Sequence, residues 1–168
     1  MAATPAIAAL EAAGIVHAVH QYKHDRKNTD YGAEAIAVMT ARLGVEPGQI
    51  FKTLVVDLST GLKGRGDRRL GVAVLPVPQQ LSLKAAAKAF GVPKAVLAQP
   101  AAVTRATGYL LGGVSPVGQK TALATVVDSS AMSWDRVLTS AGRRGLEIEL
   151  APADLVAVTG ATVADITA

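Results

Sequence analysis

Residues 50–77 read IFKTLVVDLSTGLKGRGDRRLGVAVLPV, and this stretch decides the fold class. Two strand-length apolar runs, at residues 50–58 and 70–77, flank the basic connector STGLKGRGDRR. The runs are rich in valine and leucine, whereas the glycines and charges between them continue neither run. The stretch therefore predicts a β-hairpin with a long mobile loop.

Shorter elements flank this hairpin on both sides. Helices are predicted where a capping residue or proline opens a stretch that a glycine ends, at residues 4–14, 32–43, 82–91 and 152–160, with a further helical turn from Pro100. Strand-like segments fall at residues 17–22, 94–97, 125–128, 136–140, 146–150 and 163–166. Because strands and helices do not alternate strictly, the sequence predicts a mixed α+β fold, with one domain over residues 1–168.

Composition excludes several kinds of chemistry. Of 168 residues, 50% are hydrophobic and 18% charged, which is typical of a globular chain with a core. The absence of cysteine excludes disulfides, a thiolate nucleophile and cysteine-ligated metal centres. No apolar run has the length of a membrane span and no signal peptide opens the chain, so we expect a cytoplasmic protein without a membrane partner. The net charge of +4 is compatible with a polyanionic partner.

Lys52 is the unusual residue of the first strand. If that strand alternates, Lys52 shares a face with the apolar residues Ile50, Leu54, Val56 and Leu58. A lysine on an apolar face costs desolvation unless its ammonium reaches a cleft or an anion. Two interpretations stay open: a gatekeeper on an edge strand with a snorkelling stem, or a cation at the mouth of a pocket.

The run Gly112-Gly113-Val114-Ser115-Pro116 is a second candidate site. Paired glycines let a backbone approach a ligand closely, and the N–H groups can then point at an oxyanion or phosphate. The run is neither a Walker loop nor a dinucleotide fingerprint. The alternative is an ordinary turn.

Other polar residues form no recognisable catalytic motif. Ser140, followed by Ala141 and Gly142, lacks the GxSxG context of a nucleophile. The histidines are not part of an HExxH motif or a carboxylate cluster, so no metal site is expected. Two basic clusters could be solvated faces or a nucleic-acid footprint, and no aromatic stacking motif accompanies them. The histidines are His17, His20 and His24, and the clusters are Lys63, Arg65, Arg68 and Arg69, and Lys23, Arg26 and Lys27.

Motifs along nearly the whole chain resemble one family. They are TPA at residues 4–6, Tyr22 with His24-Asp25, FKTL at 51–54, GYL at 108–110, GGVSPVGQK at 112–120 and SAGRRGLEIEL at 140–150. FKTL, GGVSP and SAGRRGLEIEL at these spacings make the resemblance specific. The chain resembles the YbaK/EbsC family of free-standing aminoacyl-tRNA deacylases, which is related to the editing domain of bacterial prolyl-tRNA synthetases. Its Cys-tRNA(Pro) deacylase branch is the most similar.

This resemblance implies a fold and a site. The fold would be a mixed, partly barrel-like β-sheet flanked by helices, with a pocket for the aminoacylated 3′ end of tRNA. Lys52 matches the essential lysine of the family, and Gly112 matches the glycine of a loop whose N–H groups hold the aminoacyl carbonyl. Ala141 departs from the second glycine that many relatives carry there. The expected substrate-binding residues are Tyr22, Phe51, Thr53, Gly113, Val114, Ser115, Pro116, Ser140 and Gly142.

The resemblance also implies a mechanism without a cofactor or a metal. The thiol of the charged cysteine would attack its own ester, so the enzyme needs to supply only positioning and oxyanion stabilisation. Contact with the tRNA body would be weak and salt-sensitive, a prolyl-tRNA synthetase is the implied partner, and DNA is not a partner. Three alternatives stay open: water-dependent removal of alanine or another small amino acid, a non-catalytic module that binds a nucleotide or CCA end, and a hydrolase that binds a metal through its histidines.

Overall fold

The computed structural model describes residues 3–60 and 69–168. Residues 61–68 of the predicted mobile loop, which include Lys63, Arg65 and Arg68, lie outside the described residues. In chain order the helices and strands are α1 Pro5–Ala12, β1 His17–Gln21, α2 Tyr31–Leu43, β2 Phe51–Asp57, β3 Leu70–Pro76, α3 Leu83–Phe90, β4 Val96–Leu97, α4 Pro100–Thr107, β5 Ala124–Asp128, β6 Val137–Arg143, β7 Leu146–Leu150, α5 Pro152–Thr159 and β8 Thr162–Ala164.

The predicted hairpin of β2 and β3 forms the centre of a five-stranded sheet. The two strands pair antiparallel from Phe51 opposite Pro76 to Asp57 opposite Leu70. The strand order is β4-β2-β3-β5-β8, and β5 and β8 join in parallel. Strand β4 pairs only with the last two residues of β2, so the Phe51 end of β2 is open along that edge.

A second, three-stranded sheet meets the first beside the beginning of β2. Its order is β1-β7-β6, with both pairings antiparallel. A parallel bridge between Ile50 and Leu138 connects the two sheets. The mixed α+β class with flanking helices is therefore confirmed, and within the described residues the two sheets do not close into a barrel.

Local capping explains where the helices begin and end. Thr4 and Ser82 accept hydrogen bonds from the backbone N–H groups of Ile7 and Ala85, as their positions in the sequence predict. Helix α2 begins earlier than the prediction of residue 32, because Asp30 caps it. None of the helices in residues 3–60 and 69–168 is both long and apolar enough to cross a membrane.

Helices cover one face of each sheet near their junction. Alternation along β2 places Lys52 on the same side as Val56 and Leu58, which pack with Ala87 of α3. Met39 of α2 packs with Leu138 from the three-stranded sheet. The beginning of β2 therefore lies where the two sheets and their covering helices meet.

Candidate functional site

A cavity of about 380 Å³ opens at this junction. It brings together side chains and backbone from β2, the loop before β5, strands β6 and β7, and the start of α2. Six of the residues predicted for the site line it: Phe51, Lys52, Thr53, Gly112, Val114 and Ser140. The other lining residues are Thr29, Asp30, Tyr31, Gly32, Ala35, Ile50, Leu54, Val77, Leu111 and Glu147.

Lys52 lies on the wall of this cavity. It is nearer the start of β2 than Val56, which packs against α3. Its Nζ donates hydrogen bonds to the carbonyl oxygens of Val77, at 3.2 Å, and Gln79, at 2.6 Å. Burial lowers the pKa of the ammonium, and the nearby carboxylate of Asp30 opposes that shift. The two carbonyls fix the cation at the cavity, where it can contact an anionic or carbonyl oxygen of a ligand.

Gly112 lines the cavity, and its backbone conformation and surroundings do not accommodate a side chain. Its φ is +84°, and a Cβ added there would lie 2.5 Å from Cδ2 of Tyr31. The guanidinium of Arg144 lies 4.4 Å from the centre of the same tyrosine ring. Arg144 also donates to the carbonyl oxygen of Leu111 from Nε, at 2.9 Å, and from an Nη, at 2.7 Å. Tyr31 and Arg144 therefore hold the glycine loop in place.

The backbone of the glycine loop has N–H groups available for a ligand. The N–H of Gly113 donates to Leu110, whereas those of Gly112 and Val114 donate to no acceptor among residues 3–60 and 69–168. The fully buried Ser115 stabilises the loop, since its hydroxyl accepts from Val117. A pair of unpaired N–H groups beside a cation can stabilise negative charge on a carbonyl oxygen.

Ser140 reaches the cavity through a bulge in β6. The register against β7 shifts between Ser140 and Arg143, and the N–H of Gly142 donates to the Ser140 hydroxyl at 3.1 Å. A Cβ at Gly142 would lie 2.7 Å from Tyr109 Cε1, and its φ is +104°. The bulge thus needs a glycine, and the N–H of that glycine holds the hydroxyl of Ser140, a residue that lines the cavity. No base adjoins this hydroxyl among the hydrogen bonds of the described chain.

Glu147 is a cavity residue that the sequence analysis did not single out. It is 7% exposed and lies between His20 of β1 and Ser140 of β6 in the sheet register. Desolvation raises its pKa to about 8. The carboxyl is therefore mostly protonated at neutral pH and can donate a hydrogen bond. The only signal in the sequence was an acidic residue between the apolar residues of the strand LEIEL. The same pattern is typical of a residue that faces solvent.

Thr53, which the family resemblance implied, and Tyr31, on which the sequence was silent, also line the cavity. The Thr53 hydroxyl is buried without a hydrogen-bond partner in the described part of the chain, so a ligand in the cavity could satisfy it. Tyr31 begins α2 and forms part of the cavity wall. No sequence motif marked Tyr31, because its role depends on contacts with Gly112 and Arg144.

Five of the predicted site residues are not among those that line the cavity: Tyr22, Gly113, Ser115, Pro116 and Gly142. Tyr22 is buried among residues of α2 and β6, and burial followed by the charge of Glu147 raises the pKa of its hydroxyl. A Cβ at Gly113 would meet the backbone of Arg143 at 2.9 Å. The glycine loop and the bulge of β6 are therefore in close contact at Gly113.

Two of the three histidines lie near carboxylates. His24 Nδ1 lies 2.6 Å from Glu34 Oε1, and His20 Nε2 lies 3.7 Å from Glu149 Oε1. Over residues 3–60 and 69–168, no three side chains of the types that ligate metals form a group that could hold an ion. What the cavity presents is instead a fixed cation, unpaired backbone donors and a protonated carboxyl.

Comparison with known proteins identifies the same part of the chain. The profile of the family "Aminoacyl-tRNA editing domain" matches residues 31–158. An Enterococcus faecalis protein named "Putative Cys-tRNA(Pro)/Cys-tRNA(Cys) deacylase EbsC" is 37% identical over 148 residues, 88% of this chain and 84% of that protein. A crystal structure described as "a putative trans-editing enzyme for prolyl tRNA synthetase" has a TM-score of 0.79 and 28% identity, over 100% of this chain and 99% of that one. A hypothetical protein of solved structure has a TM-score of 0.80 and 30% identity, over 98% and 100%.

Proposed function

This chain belongs to the aminoacyl-tRNA editing domain family, and from that membership we propose that it is a trans-editing deacylase that removes cysteine from Cys-tRNA(Pro). The observation that carries the proposal is the single cavity that Lys52, Gly112 and Val114 all line. Such a cavity suits the ester of an aminoacyl-tRNA, because that ester has a carbonyl group that can be polarised and a leaving oxygen that belongs to the terminal ribose. The name of the Enterococcus faecalis relative supports cysteine as the amino acid removed.

The proposed binding mode assigns each group one task. The Lys52 ammonium contacts the terminal adenosine or the ester oxygen, and its two carbonyl partners keep it from swinging into solvent. The N–H groups of Gly112 and Val114 donate to the carbonyl oxygen as negative charge develops there. One such donor is worth about 3 kcal/mol, roughly a hundredfold in rate. The buried hydroxyl of Thr53 and the carboxyl of Glu147 are available to the amino acid.

The substrate itself supplies the nucleophile in this mechanism. The cysteine sulfur, once its proton has left, forms a bond to the carbonyl carbon of its own ester. The bond from that carbon to the ribose oxygen breaks, and the oxygen leaves with a proton as the free hydroxyl of tRNA. Water then opens the resulting thiolactone and releases cysteine. A cavity alone discriminates a methylene-sized difference by only about a hundredfold, so this thiol chemistry adds the missing selectivity.

A prolyl-tRNA synthetase is the partner that we propose for tRNA identity. The described cavity has room for a 3′ end, and no feature of it reads an anticodon. The similar solved structure, described as a putative trans-editing enzyme for prolyl tRNA synthetase, supports this partner. A complex that survives gel filtration with the synthetase and tRNA together, compared with either alone, would test it.

The decisive experiment measures loss of the aminoacyl ester from Cys-tRNA(Pro), Ser-tRNA(Pro) and Ala-tRNA(Pro). Wild-type protein is expected to release cysteine at least a hundredfold faster than serine or alanine, because only cysteine can attack its own ester. Lys52→Ala is expected to lose the activity. Arg105→Ala is the matched control, since Arg105 is an exposed cation of α4 outside the cavity, and it should retain full activity.

Three outcomes would contradict the proposal. Release of alanine or serine as fast as cysteine would replace the thiol mechanism with attack by water, which is the nearest alternative. Tight binding of an uncharged CCA end without any ester loss would make the protein a binding module instead. Activity that exhaustive chelation abolishes would favour a metal-dependent hydrolase.

A further inference from the structure

A second groove, here called the lysine groove, runs along the outside of α3 and the segment after it. Its volume is about 490 Å³, and its floor and sides are apolar. Its members are Leu83, Lys84, Ala87, Lys88, Val92, Pro93, Lys94, Ala95 and Val96. The three lysines are exposed, and no carboxylate or aromatic ring is among the lining residues.

The lysines of this groove lack partners within the protein. Over residues 3–60 and 69–168, no carboxylate pairs with Lys84, Lys88 or Lys94, and none of their ammonium groups donates a hydrogen bond. Lys84 and Lys88 are one helical turn apart, about 6 Å along the axis of α3. Three unpaired cations along one groove form a track suited to a polyanion.

The groove begins beside the cavity described above. Lys52 donates to the carbonyls of Val77 and Gln79, and α3 starts a few residues later at Leu83. Helix α3 then extends away from the cavity, because Phe90 at its end lies close to Gly71, and Gly71 pairs with Val56 near the far end of β2. The lysines therefore follow one another outward from Lys52.

We infer that the lysine groove binds the sugar–phosphate backbone of tRNA next to the 3′ end that occupies the cavity. This inference rests on the proposed function. Phosphates would pair with the ammonium groups, and ribose would lie on the apolar floor. Because no aromatic ring is present for stacking, the contact positions the tRNA without reading its bases. The alternative occupant is an acidic protein surface. Such a surface would bind the groove without also placing a group in the cavity.

The test compares two substrates of different length. One is full Cys-tRNA(Pro), and the other is cysteine esterified to a CCA trinucleotide, which occupies the cavity alone. Lys84→Glu and Lys94→Glu are expected to raise KM for the full tRNA at least threefold each and to leave both constants for the short ester unchanged. Each lost phosphate contact should also reduce the steepness of the slope of log K against log salt concentration by about 0.9. Over the range from 50 to 200 mM salt, that change corresponds to about a threefold difference in how much the affinity falls.

The variants are chosen so that folding is preserved. Lys84→Glu puts an acid in the first turn of α3, where the helix dipole favours it. Arg105→Glu, a charge reversal on exposed α4, is the matched control and should alter neither substrate. Equal KM values for full tRNA in the wild type and both lysine variants would overturn the inference, even if the variants lost binding to an acidic protein.

Binding of uncharged tRNA separates this inference from the proposed function. If the wild type cleaves neither substrate, the deacylase proposal fails, and the lysine groove is then judged by binding alone. Weaker, less salt-dependent binding of uncharged tRNA by Lys84→Glu and Lys94→Glu than by Arg105→Glu would sustain the inference. Identical binding by all three would refute it.

Discussion

Lys52 combines partial burial with a fixed position, and both follow from its place at the start of β2. The carbonyls of Val77 and Gln79 hold its ammonium, and burial lowers its pKa from the ordinary value of 10.5. The positive charge of Lys52 is therefore lost at a lower pH than that of a free lysine. An activity that depends on this cation is complete below that lowered pKa and declines as pH rises through it.

The first prediction uses this decline. The enzymatic rate on Cys-tRNA(Pro), corrected for spontaneous ester loss, should fall on the alkaline side in the wild type. Lys52→Arg should have a lower maximum rate but no alkaline fall, because arginine keeps its charge at every accessible pH. Profiles of kcat/KM against pH measure both. An identical alkaline fall in Lys52→Arg would assign that titration to another group.

Glu147 makes stability depend on pH in a known direction. Its pKa is about 8 in the folded protein and 4.5 ordinarily, so unfolding between these values releases a proton. The free energy of unfolding therefore decreases as pH rises from about 4.5 to about 8, by an amount on the order of a few kcal/mol. Below that window the carboxyl is protonated in both states, and it contributes no slope.

The second prediction is that Glu147→Gln removes this slope. The amide has the same shape and no charge, so the variant should be more stable than the wild type near pH 8 and similar to it in mild acid. Urea unfolding across this pH range measures the difference. Glu149→Gln is the matched control on the same strand, since Glu149 is partly exposed, and it should keep the wild-type slope. A Glu147→Gln slope equal to that of the wild type would contradict the raised pKa.

Gly112 carries the third prediction. Gly112→Ala adds a Cβ to a residue with φ +84° and displaces the Tyr31 ring, so we expect loss of deacylation with a stability cost of about 1–2 kcal/mol. Gly160→Ala is the matched control: its φ is +62°, and no atom lies within 4 Å of the added Cβ. The control should have a similar cost in urea unfolding and full activity. Full activity in Gly112→Ala would remove the glycine loop from the mechanism.

At the scale of elements, α1 is tied to the strand that carries Ser140. Thr4 accepts from the N–H of Ile7 as the helix cap, and its hydroxyl donates to the carbonyl of Ala141 inside the β6 bulge. One side chain thus caps the start of a helix and anchors the bulge. A cap bond contributes about 1 kcal/mol, and a buried hydrogen bond contributes a similar amount.

The fourth prediction compares two caps. Thr4→Val should lower the free energy of unfolding by about 2–3 kcal/mol, because it loses the cap and leaves the buried Ala141 carbonyl unpaired. Ser82→Ala, at the start of α3, should lose only about 1 kcal/mol, since Ser82 makes a cap bond alone. Urea unfolding measures both. Equal losses would mean that the Ala141 contact contributes nothing.

At the scale of the whole molecule, the site exists only because two sheets meet. Lys52 belongs to the five-stranded sheet, and Ser140 and Glu147 belong to the three-stranded sheet. Ile50 and Leu138 connect them through a bridge, and both are buried, with 1% and 0% exposure. The packing of these two side chains therefore sets the distance across the cavity.

The fifth prediction separates this junction from the rest of the core. Leu138→Ala and Ile166→Ala each empty a fully buried position and should each cost about 2–5 kcal/mol in urea unfolding. Ile166 lies in a different cluster, with Ala73, Leu75 and Val126. Under conditions where both variants are folded, only Leu138→Ala should lose activity. An equal loss in both would mean that the junction does not position the catalytic groups.

The sequence by itself determined the local structure and part of the site. Caps at Thr4 and Ser82, end glycines and the alternation of β2 act over a few residues, so they predicted the helices, the hairpin and the oddity of Lys52. The positions of Tyr31 and Glu147 were decided only in the tertiary structure. In LEIEL both acids fall on one face, yet Glu147 is buried and Glu149 is partly exposed. Burial of this kind depends on contacts between distant segments, which no local pattern contains.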